Sequence, residues 1–289
     1  MTLRAYISLF KPRIAMMIAL TALVGYAAMA PTVEPLAALA LVLAMVLGSS
    51  SSAIFNHFYD RDIDAQMART ANRPLASGQV EKPESLLWLA AAMLAAGCFL
   101  ALAAFNWAVA LHLFLGAFVY GIVYTVWLKR RTSMNIVIGG AAGSFAILAG
   151  AAAYDPTQWL LPLAMAVTLF LWTPSHFWAL AMLLKDDYEK AGVPMLPVLV
   201  GNATCARWVF ANSVLLVGST AVPLMMGALG ATYGVIAALF GARFMWENLR
   251  LVRDPSRDNA RKAFFGSMVY LMGVFVAILA DRHLGPALF

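Results

Sequence analysis

Hydrophobic and polar positions alternate along this chain on the scale of whole helices. Nine apolar segments are long enough to cross a bilayer as α-helices, with polar links between them. The segments are residues 14–30, 36–57, 86–105, 108–128, 134–153, 160–184, 208–229, 231–249 and 263–280. Arg243 and Glu247 interrupt the eighth segment, which makes it the weakest of the nine. The pattern predicts an all-α integral membrane protein, a bundle of nine transmembrane helices.

Composition agrees with the segment pattern. The 289 residues are 63% hydrophobic and only 12% charged, whereas a soluble domain carries about 25% charged residues. Cys98 and Cys205 lie far apart without metal-ligand spacing, so we expect both to be ordinary apolar residues. The net charge of +6 raises the question of a nucleic-acid partner. In a membrane protein, however, topology explains a basic balance, and we predict no nucleic-acid binding.

The distribution of basic residues predicts the orientation. Arg243 falls inside a segment and Arg282 near the C-terminus, while every other Lys and Arg falls on one side of the predicted membrane. By the positive-inside rule that side is cytoplasmic, and it includes the N-terminus. We therefore predict a multi-pass protein of a bacterial inner membrane, with residues 1–289 forming one domain.

The longest links, residues 58–85 and 185–207, also fall on the cytoplasmic side, where long ordered loops are typically functional. Both contain aspartates, and the two loops share an Asp, Pro and Gly at equal spacing. The matching residues are Asp64, Pro74 and Gly78 in the first loop, and Asp187, Pro197 and Gly201 in the second. The match favours a duplicated helical unit, although three positions can agree by chance.

A row of polar side chains marks the end of the second segment. In "NHFYDRDID", residues 56–64, Asn56, Asp60 and Asp64 are four residues apart and share one helical face, with Asp62 on the opposite face. Such oxygen ligands suit Mg²⁺ shared with a phosphate. The alternative is a solvated helix end whose acids pair with Arg61 and Arg69.

Basic residues nearby favour the metal interpretation. Arg69 and Arg73 follow the acids, and Lys129, Arg130 and Arg131 come from another cytoplasmic link. Guanidinium groups bind phosphate oxygens in pairs, so acids and bases together predict a divided site for a metal–diphosphate. Taken alone, the basic residues would also be explained by membrane topology.

His176 is the third polar feature. It lies about three turns inside the sixth segment, after Pro174 and on the same helical stripe as Asp187. An ionisable residue inside a span is a functional candidate. Hydrogen bonding to a neighbouring helix, metal ligation and contact with a large substrate all remain open for His176.

Four stretches together resemble the intramembrane UbiA-type prenyltransferases over nearly the whole chain. They are "NHFYDRDID" (56–64), "NRPLASG" (72–78), "YTVWLKRRTSMNIVIGGAAG" (124–143) and "HFWALAMLLKDDYEKAGVPMLPV" (176–198). The last stretch is closest to the haem-modifying branch of that family. Quinone-type members usually carry a DxxxD pattern there, whereas Lys190 stands in the fourth position after Asp186 in this chain.

The resemblance implies a helical bundle around a central cavity, with Asp-motif loops at the cytoplasmic mouth. It implies that Mg²⁺ and farnesyl diphosphate bind at that mouth, and that Asn56, Asp60, Asp64 and Asp187 form the metal site. Asp186 stands beside Asp187 in the second motif, and the implied catalytic residues are these five. The residues implied to contact substrate are Arg13, Arg69, Arg73, Tyr124, Lys129 and, as our own hypothesis for haem contact, His176.

The implied reaction transfers the farnesyl group to a vinyl group of haem B with addition of water, giving haem O and diphosphate. The implied surroundings are the lipid bilayer and proteins of haem A synthesis or cytochrome oxidase assembly. One alternative is an aromatic acceptor such as 4-hydroxybenzoate, and another is a membrane transporter. A transporter predicts acids on both sides, but here all except Glu34, Asp155, Glu247 and Asp281 lie at the cytoplasmic mouth.

Overall fold

The computed structural model describes residues 2–288, and within that range all regular structure is helical. The first half contains α1 (Leu3–Leu9), α2 (Pro12–Met29), α3 (Pro35–Tyr59), α4 (Arg61–Asp64), α5 (Ser85–Ala104), α6 (Trp107–Phe118) and a π-helical segment (Val119–Leu128). The second half contains α7 (Asn135–Gly139), α8 (Ala141–Tyr154), α9 (Leu160–Leu183), α10 (Lys185–Lys190), α11 (Leu196–Ser219), α12 (Val222–Met225), α13 (Ala231–Arg253) and α14 (Arg257–Leu288). The prediction of an all-α protein is confirmed for this part of the chain.

Eight stretches of the described chain are long and apolar enough to span a membrane. They are Pro12–Met29, Pro35–Tyr59, Ser85–Ala104, Trp107–Leu128, Asn135–Tyr154, Leu160–Leu183, Leu196–Met225 and Arg257–Leu284. Helix α13 coincides with the eighth predicted segment but is not among them, and Arg243 and Glu247 lie within it. The multi-pass prediction is therefore supported, while the count of nine spans, the orientation and the central cavity stay predictions.

The seventh predicted segment was placed too late in the sequence. Helix α11 begins at Leu196 rather than near 208, so most of the predicted loop 185–207 is helical. Pro197 lies in the first turn of α11. The N–H groups of a first helical turn have no partner within the helix, so proline loses no hydrogen bond there, and its fixed φ suits the helix. Gly201 then breaks the helical path with a φ of 73°. Only residues 191–195 separate α10 from α11.

Small residues let the helices approach closely around the first half of the chain. A Cβ atom added at Gly150 would lie 1.8 Å from the carbonyl oxygen of Ala22, and one added at Gly25 would lie 2.3 Å from that of Ile147. Helices α2 and α8 therefore touch backbone to backbone, as small-residue runs in membrane helices allow.

Candidate active site

The predicted row of Asn56, Asp60 and Asp64 is buried at the end of α3. Their exposed fractions are 3%, 0% and 2%. Helix α3 ends at Tyr59, but the N–H of Asp60 donates to the carbonyl of Asn56 at 2.9 Å, and that of Asp64 donates to the carbonyl of Asp60 at 2.8 Å. Turns of helical pitch thus continue through the break. The three side chains keep the one-faced arrangement that their spacing predicts.

Each member of the row contacts a different cation. Lys129 forms an ion pair with Asp60, and Arg73 Nη1 lies 2.6 Å from Asp64 Oδ2. Lys11 Nζ donates to Asn56 Oδ1 at 2.7 Å. These partners come from three separate segments and differ from Arg61 and Arg69, which a merely solvated helix end would use. The contacts converge on one buried polar cluster.

The hydrogen bonds of Asn56 fix the orientation of its amide. Its Nδ2 donates to Asp60 Oδ2 at 2.7 Å and to Thr125 Oγ1 at 3.0 Å, while its Oδ1 accepts from Lys11. Because both donors and the acceptor have suitable partners, this orientation satisfies the amide. Asn56 therefore connects α3, the start of α2 and the π-helical segment.

The π-helical segment explains why residues from 120 to 129 reach the row together. A turn closed by an i to i+5 hydrogen bond holds about one residue more than an α-turn. The bond from Lys129 N–H to the carbonyl of Tyr124, at 2.8 Å, is of this kind. Tyr120, Thr125 and Lys129, spaced by five and four residues, thus share a face. Periodicity of an α-helix would separate Tyr120 from Lys129 by half a turn.

Lys11 is the functional candidate that sequence reasoning missed. It was counted as a topology charge, and Arg13 was chosen instead, yet Arg13 is exposed while Lys11 bonds to Asn56 and to the Tyr120 hydroxyl at 3.0 Å. Lys11 has a φ of 46°, a strained backbone state for a residue with a side chain. Burial is the main reason that the pKa of Lys11 is lowered to about 7; the charges of Arg73 and Lys129 also lower it, and those of Asp64 and Asp60 oppose the change.

A second layer of contacts supports the row. Arg130 binds both carboxylate oxygens of Asp62, at 2.7 and 2.6 Å, and donates to the carbonyl of Tyr59 at 2.9 Å. The hydrogen bond from Arg130 is the main reason that the pKa of Asp62 is lowered. Asn135 Nδ2 donates to the carbonyl of Lys129 at 3.1 Å. Asp62 is 58% exposed, and the Arg130 that it binds also lies 3.5 Å from Asp60 Oδ1, across the end of α3.

The second motif reaches the first one through Asp187. Its Oδ1 accepts a hydrogen bond from the N–H of Ala68 at 3.3 Å, so α10 is tied to the loop that follows Asp64. Asp186 is exposed, and so is Arg69, whose charge lies beside the Tyr188 hydroxyl. Burial raises the pKa of Tyr188, and Arg69 and Arg73 oppose that rise. Asp187 is therefore placed next to the site, whereas Asp186 faces solvent.

His176 lies deeper in the bundle, inside an aromatic stack. Its ring centroid is 4.2 Å from that of Trp172 and 4.5 Å from that of Phe264. Its Nδ1 is 2.7 Å from the hydroxyl of Ser267 on α14. This arrangement matches the open alternative of a histidine that bonds to a neighbouring helix. Haem contact by His176 stays a hypothesis, with Nε2 as the atom left for it.

The residues of the row fit a magnesium ion. Asp60 Oδ1 is buried without a hydrogen-bond partner among the described residues, with Arg130 Nη2 3.5 Å away, while its other oxygen pairs with Lys129. The described part contains no group of three or more His, Cys, Asp or Glu side chains that could hold a metal. Mg²⁺ is usually bound by one or two carboxylates, with water and substrate phosphate as its other ligands. Asp60 and Asp64, with Asn56 beside them, match that donor set.

Comparisons with known proteins identify relatives along nearly the whole chain. One is protoheme IX farnesyltransferase 1 of Paramagnetospirillum magneticum, 59% identical over 283 residues, which cover 98% of this chain and 100% of that relative. Another is protoheme IX farnesyltransferase of Parvibaculum lavamentivorans, 40% identical over 287 residues, covering 98% and 90%.

Solved structures show the same fold at low sequence identity. A digeranylgeranylglyceryl phosphate synthase matches with a TM-score of 0.78 at 19% identity, covering 98% of this chain and 99% of that one. A UbiA homolog from Archaeoglobus fulgidus, bound to DMAPP and Mg²⁺, matches with a TM-score of 0.71 at 20% identity, covering 94% and 98%. The model of the UbiA prenyltransferase family matches residues 18–273. With these matches, the chain belongs to the UbiA prenyltransferase family.

Proposed function

We propose that this protein transfers the farnesyl group of farnesyl diphosphate to a vinyl group of haem B, giving haem O and diphosphate. The observation that carries the proposal is the buried row of Asn56, Asp60 and Asp64 facing Lys11, Arg73 and Lys129. This mixture of oxygen ligands and cations suits a metal–diphosphate. Full-length similarity to proteins named protoheme IX farnesyltransferase supports haem as the acceptor.

Asp60 and Asp64 would hold Mg²⁺, with Asn56 Oδ1 as a further ligand. Without substrate their oxygens pair with Lys129 and Arg73. Two carboxylates face three basic groups here, so with a metal–diphosphate bound the carboxylates would hold the metal while Lys11, Arg73 and Lys129 would bind phosphate oxygens. Mg²⁺, when bound, supplies positive charge that stabilises the departing diphosphate.

The residues of this chain act on the bond between farnesyl C1 and the diphosphate oxygen. As that bond breaks, Lys11, Arg73 and Lys129 donate hydrogen bonds to the departing diphosphate, where negative charge accumulates. The electron pair of the haem vinyl group forms the new bond to C1. Water then adds to the resulting cationic carbon and loses a proton, so farnesyl diphosphate, haem B and water give haem O, diphosphate and a proton.

Asp187 holds the loop after Asp64 in place by its bond to Ala68 N–H, and it is also our candidate for a further metal ligand. Asp186 remains a candidate catalytic residue of lower rank because it is exposed. We retain Arg13, Arg69 and Tyr124 as candidate substrate contacts, since Arg69 is beside Tyr188, and Tyr124 stacks on Tyr120 at 5.8 Å. His176 is the candidate for haem contact.

We further propose nine spans around a central cavity in one domain, residues 1–289, with the N-terminus and the active-site loops cytoplasmic in the bacterial inner membrane. The basic residues on one side of the chain support this orientation. Haem O is more apolar than haem B, so the product would leave through the bilayer to proteins of haem A synthesis or cytochrome oxidase assembly.

The decisive experiment supplies membranes containing the protein with farnesyl diphosphate and either haem B or 4-hydroxybenzoate. We expect a haem product with the mass of haem B plus a farnesyl group and a hydroxyl group, formed only when Mg²⁺ is present. Chelation with EDTA should stop the reaction, and added Mg²⁺ should restore it. Product from 4-hydroxybenzoate alone would refute the haem assignment, and full activity in EDTA would refute the metal role.

A further inference from the structure

A groove between α13 and α14 lies outside the active site and has its own polar side chains. Its volume is about 320 Å³. Its lining residues are Arg243, Glu247, Asp258, Arg261, Lys262, Phe265, Gly266 and Val269. Three cations and two carboxylates leave it one net positive charge. None of these residues contributes to the row at Asn56, so the proposed reaction does not explain the groove.

Glu247 gives the groove an unused hydrogen-bond acceptor. Its Oε1 pairs with Arg243 Nε at 3.2 Å, but its Oε2 is buried without a partner among the described residues. Glu247 lies directly on Gly266, because a Cβ atom there would be 1.5 Å from Oε2. An unpaired buried carboxylate oxygen is costly. A bound group that donates a hydrogen bond would remove that cost.

The basic side of the groove suits a phosphate carrying a single negative charge. Arg243 pairs with Glu247, and Lys262 pairs with Asp258. Arg261 has no ion pair within the described part of the chain and lies over the Phe265 ring at 5.9 Å. Its guanidinium is therefore the cation available to an anion from outside. A phosphodiester carries one negative charge and matches the net charge of the groove.

Apolar side chains beside the groove point to a lipid rather than to a soluble phosphate. Phe265 is 50% exposed and Val269 is 36% exposed, both on the span Arg257–Leu284. Trp246 on α13 is also exposed. Basic pockets between transmembrane helices on the cytoplasmic side bind lipid head groups. Acyl chains would lie along the apolar surface while the head group occupies the polar groove.

The groove is at the same end of the bundle as the active site. Leu251 of α13 and Ala263 of α14 pack in one cluster with Trp178 and Met182, near the end of α9. That end of α9 leads directly to Asp187. The groove thus lies in the membrane interface where the Asp motifs open.

We propose that this groove binds a phospholipid whose head group has a phosphodiester and a hydroxyl or ammonium donor, as in phosphatidylglycerol or phosphatidylethanolamine. Arg261 binds the phosphate with Arg243 and Lys262 close by, and Glu247 Oε2 accepts the donor. Phosphatidylcholine has the phosphate but no donor, so it tests the role of Glu247. Diacylglycerol lacks the phosphate and tests the role of Arg261.

The test titrates the purified full-length protein in detergent with each of these four lipids and counts bound lipid by native mass spectrometry. We expect phosphatidylglycerol and phosphatidylethanolamine to bind about fivefold more tightly than phosphatidylcholine, the factor given by about 1 kcal/mol per polar contact. Arg261→Gln should weaken all three phospholipids about fivefold, since one basic residue near a lipid surface contributes about 1 kcal/mol. Glu247→Gln should abolish the preference over phosphatidylcholine.

Arg253→Gln is the matched control, because it removes an exposed charge at the same end of α13 but outside the groove. It should leave all four affinities unchanged. Equal weakening by Arg253→Gln and Arg261→Gln would mean diffuse attraction and would overturn the site. Equal binding of phosphatidylcholine and phosphatidylglycerol by the unaltered protein would overturn the role of Glu247. Unchanged thermal inactivation of each variant shows that it is folded.

Discussion

The two Asp motifs share the spacing of an Asp, a Pro and a Gly but differ in the residues that precede the Asp. Each motif follows a long helix, and each ends in a glycine with a positive φ, 70° at Gly78 and 73° at Gly201. The predicted repeat of Asp, Pro and Gly is thus accompanied by a positive φ at both glycines. This agreement goes beyond the sequence match, because a residue with a positive φ is uncommon and is usually glycine. It strengthens the hypothesis of a duplicated helical unit.

The two motifs differ at the positions one and two helical turns before the aspartate. At the positions that correspond to Asn56 and Asp60, the second half has Ala179 and Leu183. Ala179 is completely buried in an apolar cluster, and Leu183 packs against that cluster. Only the aspartate equivalent to Asp64 is kept, as Asp187. The first motif thus has a polar row with three basic partners, while the second has a single carboxylate that bonds to the neighbouring loop.

The comparison predicts its largest effect at the first motif. Asp64→Asn should lower kcat for haem O formation by about 10²-fold or more, a loss typical of removing one electrostatic contact to the reacting groups. Asp60→Asn should be at least as damaging, and it also leaves Lys129 buried without its partner. Steady-state rates in membranes with saturating substrates measure both variants.

Asp62→Asn is the matched control for this first prediction, because its side chain is 58% exposed and pairs only with Arg130. It should retain most of the activity. Comparable turnover for Asp62→Asn and Asp64→Asn would remove the distinction between the buried row and its exposed neighbour. Protein recovered from detergent as a single folded species separates chemistry from misfolding, which matters most for Asp60→Asn.

A smaller effect is expected at the second motif. Asp187→Asn weakens the acceptor for Ala68 N–H, so it should loosen the loop after Asp64 and lower turnover about tenfold, the equivalent of about 1.4 kcal/mol. Hydrogen exchange should become faster in residues 65–79. Asp186→Asn, an exposed neighbour, should change neither quantity. A loss at Asp187 as large as that at Asp64, with hydrogen exchange unchanged, would indicate a metal ligand instead of a loop contact.

The sequence predicted the positions of the apolar helices and of the acidic row because both depend on regular periodicity. Helices α2, α3 and α9 begin and end within a few residues of the predicted bounds. The side chains that contact the row were harder to predict from the sequence. Lys11 was missed since its importance depends on a left-handed backbone before Pro12, which no periodicity describes. Tyr120 and Thr125 were missed because they reach the row only through a π-helical turn.

The start of α11 was predicted too late for a related reason. Residues 196–207 contain Gly201, Asn202 and Arg207 and do not read as an apolar span. They are helical because Pro197 starts the helix and the kink at Gly201 allows it to change direction. These polar residues lower the local hydropathy at the start of the helix, although the whole stretch Leu196–Met225 is apolar enough to span a membrane.

Lys11 provides a test of the substrate-binding side of the first motif. Lys11→Gln should raise KM for farnesyl diphosphate about tenfold, since hydrogen bonds to charged groups contribute about 1.5 to 3 kcal/mol. No cation of the second motif corresponds to Lys11, so we expect the affinity for haem B to change little. Arg13→Gln, two residues later and exposed, is the control. A larger effect on KM at Arg13 would return the phosphate contact to that residue.

Thr125→Val tests whether the π-helical segment affects turnover through its hydrogen bond with Asn56 of the row. The valine keeps the shape but removes the hydroxyl that accepts from Asn56 Nδ2, so kcat should fall about fivefold, or about 1 kcal/mol. Thr132→Val is the control, because Thr132 is a partly buried threonine beyond the segment whose hydroxyl accepts from Met134 N–H and not from the row; it should have little effect. An unchanged kcat for Thr125→Val would mean that Lys11 and Asp60 alone orient Asn56.

The smallest effects are expected at Gly78 and Gly201, the two glycines that end the motifs. No atom outside the local backbone lies within 4 Å of a Cβ added at Gly78 or Gly201, so alanine meets only the penalty of positive φ, about 1 kcal/mol. Both variants should lower the midpoint of thermal inactivation by a similar amount. Gly218→Ala, equally open but helical, should raise the midpoint slightly.

Activity should separate the two glycines even though stability does not. Gly78 closes the turn that holds Arg73, whose carbonyl accepts from Ser77 N–H at 2.9 Å, so Gly78→Ala should displace the partner of Asp64 and raise KM for farnesyl diphosphate. Gly201 follows a motif with no cation to displace, so its alanine variant should keep the KM of the unaltered protein. Equal increases in KM would show that both turns shape the diphosphate site. Unequal losses of stability would argue that the shared spacing of Asp, Pro and Gly arose by chance.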